Sequence, residues 1–206
     1  MLKIWGRMSS INVKKVVWTA QELALDIQRT EAGGLFGVVK TPEYIALNPN
    51  SLVPVIEDED YVLWESNVIV RYLCKKHSPG EMYPTGLREQ FDAERWMDWQ
   101  QTTMNPASRA GFWQLIRTPP EQRNEAVIAE SNAAVEALMA VLDAHLAQRS
   151  FMVGERFTVA DIPIACEIHR WFGLPQQRQA RPHIERWYDS IRARQASKGV
   201  LDLQLA

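Results

Sequence analysis

The chain has 206 residues, of which 46% are hydrophobic and 23% are charged, so it can bury a substantial core and is not a disordered protein. Its formal net charge of −2 argues against a general nucleic-acid binder, which normally carries a basic excess. The two cysteines, Cys74 and Cys166, exclude a disulfide framework and a paired-cysteine zinc site. No apolar run is long enough for a signal peptide or a membrane helix, which predicts a cytoplasmic protein with no membrane partner.

Residues 1–77 alternate between short strand patterns and amphipathic helical patterns, in the predicted order β-α-β-α-β-β-α. The acidic residues 57–60 are predicted to turn the last two strands into a hairpin. The predicted strands are Leu2–Trp5, Leu25–Ile27, Val53–Ile56 and Tyr61–Trp64. The predicted helices are Asn12–Leu23, Pro42–Leu47 and Glu65–Lys76.

Proline and glycine clusters in residues 78–87 predict a linker, and residues 88–206 contain only helical patterns. We therefore predict an α/β domain over 1–77 followed by an all-α domain over 88–206. Thr158 and Asp161 have capping-box spacing before an apolar helix, and we assign them only that structural role. The helical patterns of the second domain cover 88–116, 120–148, 158–170 and 182–196.

The turn between the first strand and the first helix contains Ser9 and Ser10, followed by Asn12. A serine here is a natural N-cap, because its hydroxyl accepts a hydrogen bond from an open backbone N–H. The same position also exposes a hydroxyl at the positive end of a helix, where an anion is favoured. The residues alone leave both interpretations open.

Two later segments can also be interpreted either as purely structural or as part of a binding site. Pro54 is either an ordinary strand-entry proline or a cis proline that leaves the backbone of Val53 free to pair with an extended peptide. Glu65 and Ser66 either cap the next helix or hold an amino-acid head group, with Ser66 on the carboxylate and Glu65 on the ammonium.

The order of these segments along the chain resembles that of the cytosolic glutathione transferases, and the resemblance covers essentially the whole chain. Residues 10–16, with the pattern Ser-x-Asn-x-x-Lys-Val, are similar to the serine-type, theta-like bacterial branch. Residues 48–58 and the Glu-Ser-Asn of 65–67 are similar to the glutathione site of the family. The resemblance implies a thioredoxin-like N-terminal domain, an all-helical C-terminal domain, a homodimer and glutathione as co-substrate. The four histidines show no metal-ligand spacing, so no metal is expected.

The resemblance also implies roles for individual residues. Ser10, or Ser9 if the turn is shifted by one residue, lies beside the glutathione sulfur, and Asn12 is a second donor to the sulfur. The other implied contacts are Val53 and Pro54 at the cysteinyl part, Glu65 and Ser66 at the γ-glutamyl end, and Lys40 and Ser51 at the glycyl end. Some branches of the family have a histidine at the position of Ser51, so this chain departs from their pattern there.

A serine hydroxyl is not basic enough to deprotonate a thiol, but it can donate a hydrogen bond to a thiolate and lower the thiol pKa from about 8.5. The thiolate then attacks a small hydrophobic electrophile, which the resemblance implies is held in the cleft between the domains. The candidate lining residues for this second substrate are Met104, Arg109, Phe112 and Trp113. Helix packing alone also explains the apolar members of this set.

Several functions remain open at this point. The near-complete glutathione site favours a transferase that conjugates glutathione, with glutathione-dependent peroxide or disulfide reduction and dehalogenation as variants. The same fold also serves as a non-catalytic binding or regulatory module, for instance attached to translation or transcription machinery. Dithiol exchange of the thioredoxin type is excluded, because Cys74 and Cys166 both lie in apolar helical stretches.

Overall fold

One mixed sheet of four strands forms the centre of the N-terminal unit in the computed structural model, which describes residues 1–206. Its strands are β1 (Leu2–Trp5), β2 (Ile27–Thr30), β3 (Val55–Asp58) and β4 (Tyr61–Trp64). The spatial order is β2-β1-β3-β4. Strand β1 runs parallel to β2 and antiparallel to β3, and β4 pairs antiparallel with β3.

Three helices complete this unit, in the βαβαββα order predicted from the residues, and the family resemblance implies a thioredoxin-like domain. They are α1 (Ile11–Glu22), α2 (Pro42–Leu47) and α3 (Ser66–His77). Helices α1 and α3 pack against each other through buried side chains. The apolar core residues that they contribute include Val13, Val16, Val17, Ile69 and Leu73.

Two strands begin later than predicted. The strand predicted over 25–27 begins only at its last residue, because the N–H of Leu25 still donates to the carbonyl of Ala20 near the end of α1. The strand predicted over 53–56 begins after Pro54, which has no N–H to donate to a ladder. The start of β2 is thus set by a hydrogen bond to α1, and the start of β3 is set by the proline that cannot donate.

The second unit, Pro84–Ala206, is helical, and the division from Met1–Tyr83 falls within the segment 78–87. Its α-helices are α4 (Leu87–Trp99), α5 (Asn105–Phe112), α6 (Glu125–Leu146), α7 (Asp161–Gly173) and α8 (Pro182–Arg192). None of the helices in either unit is long and apolar enough to cross a membrane.

The helical pattern over 88–116 is not one regular helix. Gln100–Met104 forms a π-helical stretch between α4 and α5, and Trp113–Arg117 forms another after α5. Pro106 cannot donate to the carbonyl four residues before it, which accounts for the widened turn that precedes α5.

Asp161 decides where α7 begins, three residues after the start that the sequence predicts. Its carboxylate is fully buried and accepts hydrogen bonds from the N–H of Thr158 at 2.8 Å, the N–H of Met152 at 2.9 Å and the indole N–H of Trp187 at 2.9 Å. The Thr158 hydroxyl donates to the same carboxylate at 3.2 Å. Burial raises the pKa of Asp161 to about 6, although these hydrogen bonds act in the opposite direction.

Candidate functional site

The register of the sheet brings the candidate segments of the N-terminal unit together. Trp5 at the end of β1 pairs with Val55 at the start of β3, and Val55 also pairs with Trp64 at the end of β4. One end of the sheet is therefore shared by three segments that are far apart in sequence. These segments are 6–10, Val53–Pro54 and Glu65–Ser66.

Ser10 occupies the N-cap position of α1, but its hydroxyl caps nothing and forms no hydrogen bond within the chain. Thr41 and Asn124, in contrast, cap their own helices through their side chains. The first turn of α1 also contains no acidic residue that would offset the positive end of the helix. The simple capping interpretation is therefore wrong for Ser10, and its hydroxyl is available to a ligand.

Ser9 and Asn12 flank this hydroxyl along the chain. Both side chains are partly buried, and the Ser9 hydroxyl forms no hydrogen bond within the chain. The side-chain oxygen of Asn12 is buried and has no hydrogen-bond partner. Because buried polar atoms are nearly always paired, this orphaned oxygen is a second polar atom available at the start of α1. It is an acceptor, so the role of Asn12 as a donor to sulfur stays a prediction.

The Val53–Pro54 peptide bond is cis, and neither the N–H nor the carbonyl of Val53 forms a hydrogen bond within the chain. The preceding carbonyl, of Leu52, is held firmly by the Tyr44 hydroxyl at 2.8 Å and the Asn48 side-chain amide at 2.9 Å. Burial raises the pKa of Tyr44 to about 12, so its hydroxyl remains a donor at neutral pH. The Val53 backbone is therefore an unpaired donor and acceptor on a fixed support.

The sequence patterns indicate no role for Tyr44, and they include Asn48 only as the first residue of the segment 48–58. An asparagine that opens a turn is a recognisable signal, because its side chain bonds to nearby backbone groups. Tyr44 gave no such signal, since its partner lies beyond its own helix.

The start of α3 also carries polar side chains that do not cap the helix. Glu65 stands at the N-cap position with a left-handed φ of 73°, is exposed, and its carboxylate forms neither a cap nor an ion pair. Ser66, the first residue of the helix, is buried. The Nζ of Lys15 lies 3.5 Å from the Ser66 hydroxyl and donates to the side-chain oxygen of Asn67 at 3.0 Å. The start of α3 thus combines the free carboxylate of Glu65 and the buried hydroxyl of Ser66 with the buried ammonium group of Lys15 from α1.

The remaining predicted glutathione contacts lie on either side of α2. Lys40 precedes the helix, is exposed and forms no ion pair. Ser51 follows it with a left-handed φ of 54°, and its N–H donates to the Asn48 carbonyl at 3.0 Å. Both side chains are uncommitted within the chain.

Arg7 is a further cation at this end of the sheet, and no sequence motif indicated it. A Cβ atom on Gly33 would lie 2.7 Å from its guanidinium, so the glycine leaves the room that this side chain occupies. Arg7 has no carboxylate partner within the chain, whereas nearby Arg29 forms an ion pair with Glu31 at 2.6 Å. The turn that holds Ser10 therefore carries an uncompensated positive charge.

The four residues predicted to line a second-substrate site differ in exposure. Met104 is only 1% exposed and packs in the helical core, and its role as a lining residue stays a prediction. Phe112 is also buried, with the Arg170 guanidinium 4.8 Å from its ring centroid. Arg109 and Trp113 are exposed on the same stretch of helix. Buried and exposed residues thus alternate along this stretch, and residue type alone did not show which of the apolar side chains are exposed.

Both cysteines are buried, and burial raises the pKa of the Cys74 thiol to about 12. Neither thiol is therefore suited to nucleophilic attack from the protein. No group of three or more histidine, cysteine, aspartate or glutamate side chains is arranged to hold a metal ion.

A family model described as the glutathione S-transferase N-terminal domain matches residues 1–75, and one described as the C-terminal domain matches residues 103–195. The chain is 40% identical to glutathione S-transferase GstB of Escherichia coli over 203 residues, which are 98% of each chain.

Two further comparisons bear on function. A theta class glutathione S-transferase from Xanthomonas axonopodis pv. citri, solved with glutathione bound, is 40% identical, with a TM-score of 0.96 over 100% of this chain and 99% of that chain. Elongation factor 1-gamma 1 of Oryza sativa is 32% identical over 155 residues, which are 72% of this chain and 36% of that protein.

Proposed function

The chain belongs to the glutathione S-transferase family, and from that premise we propose that it binds glutathione as its co-substrate and conjugates it to a small hydrophobic electrophile. The observation that carries this proposal is the uncommitted Ser10 hydroxyl at the open N-terminus of α1. The glutathione bound to the similar Xanthomonas protein supports the choice of co-substrate. We also propose a homodimer, as the family resemblance implies.

Glutathione binds as an extended peptide at the shared end of the sheet. Its cysteinyl part pairs with the free N–H and carbonyl of Val53, as in strand addition to a sheet. The γ-glutamyl ammonium binds the unpaired carboxylate of Glu65, and the γ-glutamyl carboxylate binds Ser66 at the start of α3. Lys40 and Ser51 hold the glycyl carboxylate.

Ser10 supports the thiolate as a hydrogen-bond donor. The thiol of free glutathione has a pKa of about 8.5, so little thiolate is present at neutral pH. The Ser10 hydroxyl, the N-terminus of α1 and the charge of Arg7 all favour the charged form, so the thiol releases its proton to solvent more readily. The thiolate sulfur then bonds to the electrophilic carbon, and the leaving group departs with the electron pair of the broken bond.

The helical unit supplies residues for the electrophile in this proposal. Trp113 is 49% exposed, and the Arg117 guanidinium lies 5.1 Å from its ring centroid. With the exposed Arg109 nearby in sequence, this stretch combines aromatic surface with positive charge. Such a surface suits an apolar substrate that carries electron-withdrawing groups.

The proposed function is tested by measuring glutathione binding and turnover on the full-length wild-type chain. We expect retention on glutathione-agarose, a binding isotherm by calorimetry, and conjugation of glutathione to 1-chloro-2,4-dinitrobenzene followed by absorbance. A protein that binds no glutathione in calorimetry would contradict the proposal. Turnover of an organic hydroperoxide instead of the aromatic halide would favour the peroxidase variant.

A second candidate function is a non-catalytic binding module. It is favoured by the similarity to elongation factor 1-gamma, a protein named for translation rather than for transfer of glutathione. This function predicts no turnover of halide, hydroperoxide or disulfide substrates even where glutathione binds. The unpaired groups at Ser10, Val53 and Glu65 favour the enzyme, because a module that binds only through its surface has no need of them.

Replacing Glu65 by glutamine is expected to raise KM for glutathione about tenfold, the size of a lost charge-assisted hydrogen bond. The thermal midpoint should not change, because the exposed Glu65 carboxylate neither caps α3 nor forms an ion pair. Steady-state kinetics and a thermal melt measure both quantities. Glu59→Gln, in the exposed hairpin turn, is the matched control and should leave KM unaltered. An unchanged KM in Glu65→Gln would remove Glu65 from the proposed site.

A further inference from the structure

We propose that Lys15 is a positioning residue for the γ-glutamyl end of glutathione, acting through Ser66 and Asn67. This inference rests on the proposed function, since it assumes that Ser66 binds the γ-glutamyl carboxylate. It extends the binding site to a residue on a different helix that does not itself contact the ligand.

Lys15 projects from α1 to the start of α3 and has no exposed surface. Its Nζ donates to the side-chain oxygen of Asn67 at 3.0 Å and lies 3.5 Å from the Ser66 hydroxyl oxygen. Both partner side chains are also buried. The ammonium group therefore lies directly beneath the first turn of α3, on the protein side of the proposed carboxylate site.

Stability alone does not explain a buried lysine at this position. Its surroundings at the start of α3 are closed to solvent, and its two contacts there, Ser66 and Asn67, are neutral side chains. Removing an ammonium group from water is costly, and replacing buried charges by apolar side chains is often neutral or stabilising. The ammonium group is better explained by its effect on the groups that it contacts.

Lys15 sets the direction in which two polar side chains present their hydrogens. An ammonium group only donates, so the lone pairs of the Ser66 hydroxyl face Nζ and its hydrogen is turned away. The side-chain oxygen of Asn67 likewise faces Nζ, which turns its NH2 group in another direction. The positive charge beneath the helix N-terminus also adds to the attraction for a carboxylate. Ser66 is thereby prepared as a donor before glutathione arrives.

The test compares two lysines and two ligands by calorimetry on the full-length protein. Lys15→Met is expected to weaken both glutathione and γ-glutamylcysteine, the dipeptide that lacks glycine, by the same factor of about ten. Lys40→Met, at the proposed glycyl contact, is expected to weaken glutathione and leave γ-glutamylcysteine unaffected. In steady-state kinetics Lys15→Met should raise KM for glutathione, while kcat at saturation stays within about twofold because Ser10 is untouched.

Two further variants separate positioning from packing. Lys15→Gln keeps an N–H donor toward Asn67 but removes the charge, and it should weaken both ligands as Lys15→Met does. Lys15→Arg keeps the charge and should restore at least part of the affinity. Unchanged affinity for both ligands in folded Lys15→Met and Lys15→Gln would overturn the inference, as would a loss confined to glutathione. If the wild type binds neither ligand, the proposed function itself fails, which is a different result.

Discussion

Replacing Ser10 by alanine is expected to lower kcat about 10- to 100-fold near pH 6.5 at saturating glutathione, the effect of losing one charge-assisted hydrogen bond worth about 1.5–3 kcal/mol. The hydroxyl forms no hydrogen bond within the chain, so its removal breaks no contact that supports the fold. The loss should therefore appear in the chemistry of the bound thiol, with the thermal midpoint little changed.

The pH dependence of the Ser10 variant follows from the direction of the effect on the thiol. A donor to the thiolate lowers the thiol pKa, so its removal raises that pKa and moves the acid limb of the kcat profile to higher pH. The deficit should be largest below pH 7 and should shrink above about pH 9, where the thiol ionises in both proteins. Ultraviolet titration of the thiolate in the complex measures the same pKa directly.

Ser9→Ala is the matched control for this experiment, because Ser9 lies in the same turn and its hydroxyl is also unpaired. Ser10→Thr, which keeps a hydroxyl, should recover part of the activity. If Ser9→Ala shows the shift and Ser10→Ala does not, Ser9 is the donor to sulfur. An unchanged pKa in both variants would contradict the proposed role of the turn.

Replacing Asp161 by alanine is expected to destabilise the chain by about 3–5 kcal/mol, the cost of leaving several buried donors without a partner. The donors are the N–H groups of Met152 and Thr158, the Thr158 hydroxyl and the indole of Trp187. Because these donors come from α8 and from the loop before α7, the loss of their shared acceptor loosens several segments of the helical unit at once. Urea unfolding followed by tryptophan fluorescence measures the change.

Asp143→Ala is the graded control for the stability measurement. Asp143 is only partly buried and accepts hydrogen bonds from the N–H groups of His183 and Ile184 at the start of α8. Its loss resembles that of an ordinary N-cap and should cost about 1 kcal/mol. If both substitutions lower the free energy of unfolding equally, Asp161 does not have the larger stabilising role proposed for it.

The pH dependence of the Asp161 effect has a definite sign. Burial raises the pKa of Asp161 to about 6 from a reference value of 3.8, so the folded state holds its proton more tightly than the unfolded state. The contribution of this group to stability is therefore fully present below about pH 4 and is lost as the pH rises through 6. The destabilisation in Asp161→Ala should accordingly be about 1 kcal/mol larger at pH 5 than at pH 7.

Local sequence patterns were sufficient for the element order of both halves. Strand alternation and helical stripes depend on which side chains are apolar, and β1, β4 and α2 occur over the residues predicted. The errors are confined to element boundaries and to the π-helical stretches within the helix predicted over 88–116. The late start of β2, the late start of α7 and the π-helical Gln100–Met104 each depend on a backbone partner or a missing donor that periodicity does not reveal.

By itself, the sequence determined the βαβαββα order, the helical second half and the candidate residues at the ends of strands, because these follow from local periodicity and from short motifs. Only the tertiary structure decided which polar groups form hydrogen bonds within the chain and which have no partner there. Ser10 could have capped α1 but does not, Met104 lies in the core, and Lys15 reaches the first turn of α3. Such pairings join residues distant in sequence, and they are set by packing rather than by the identity of any single residue.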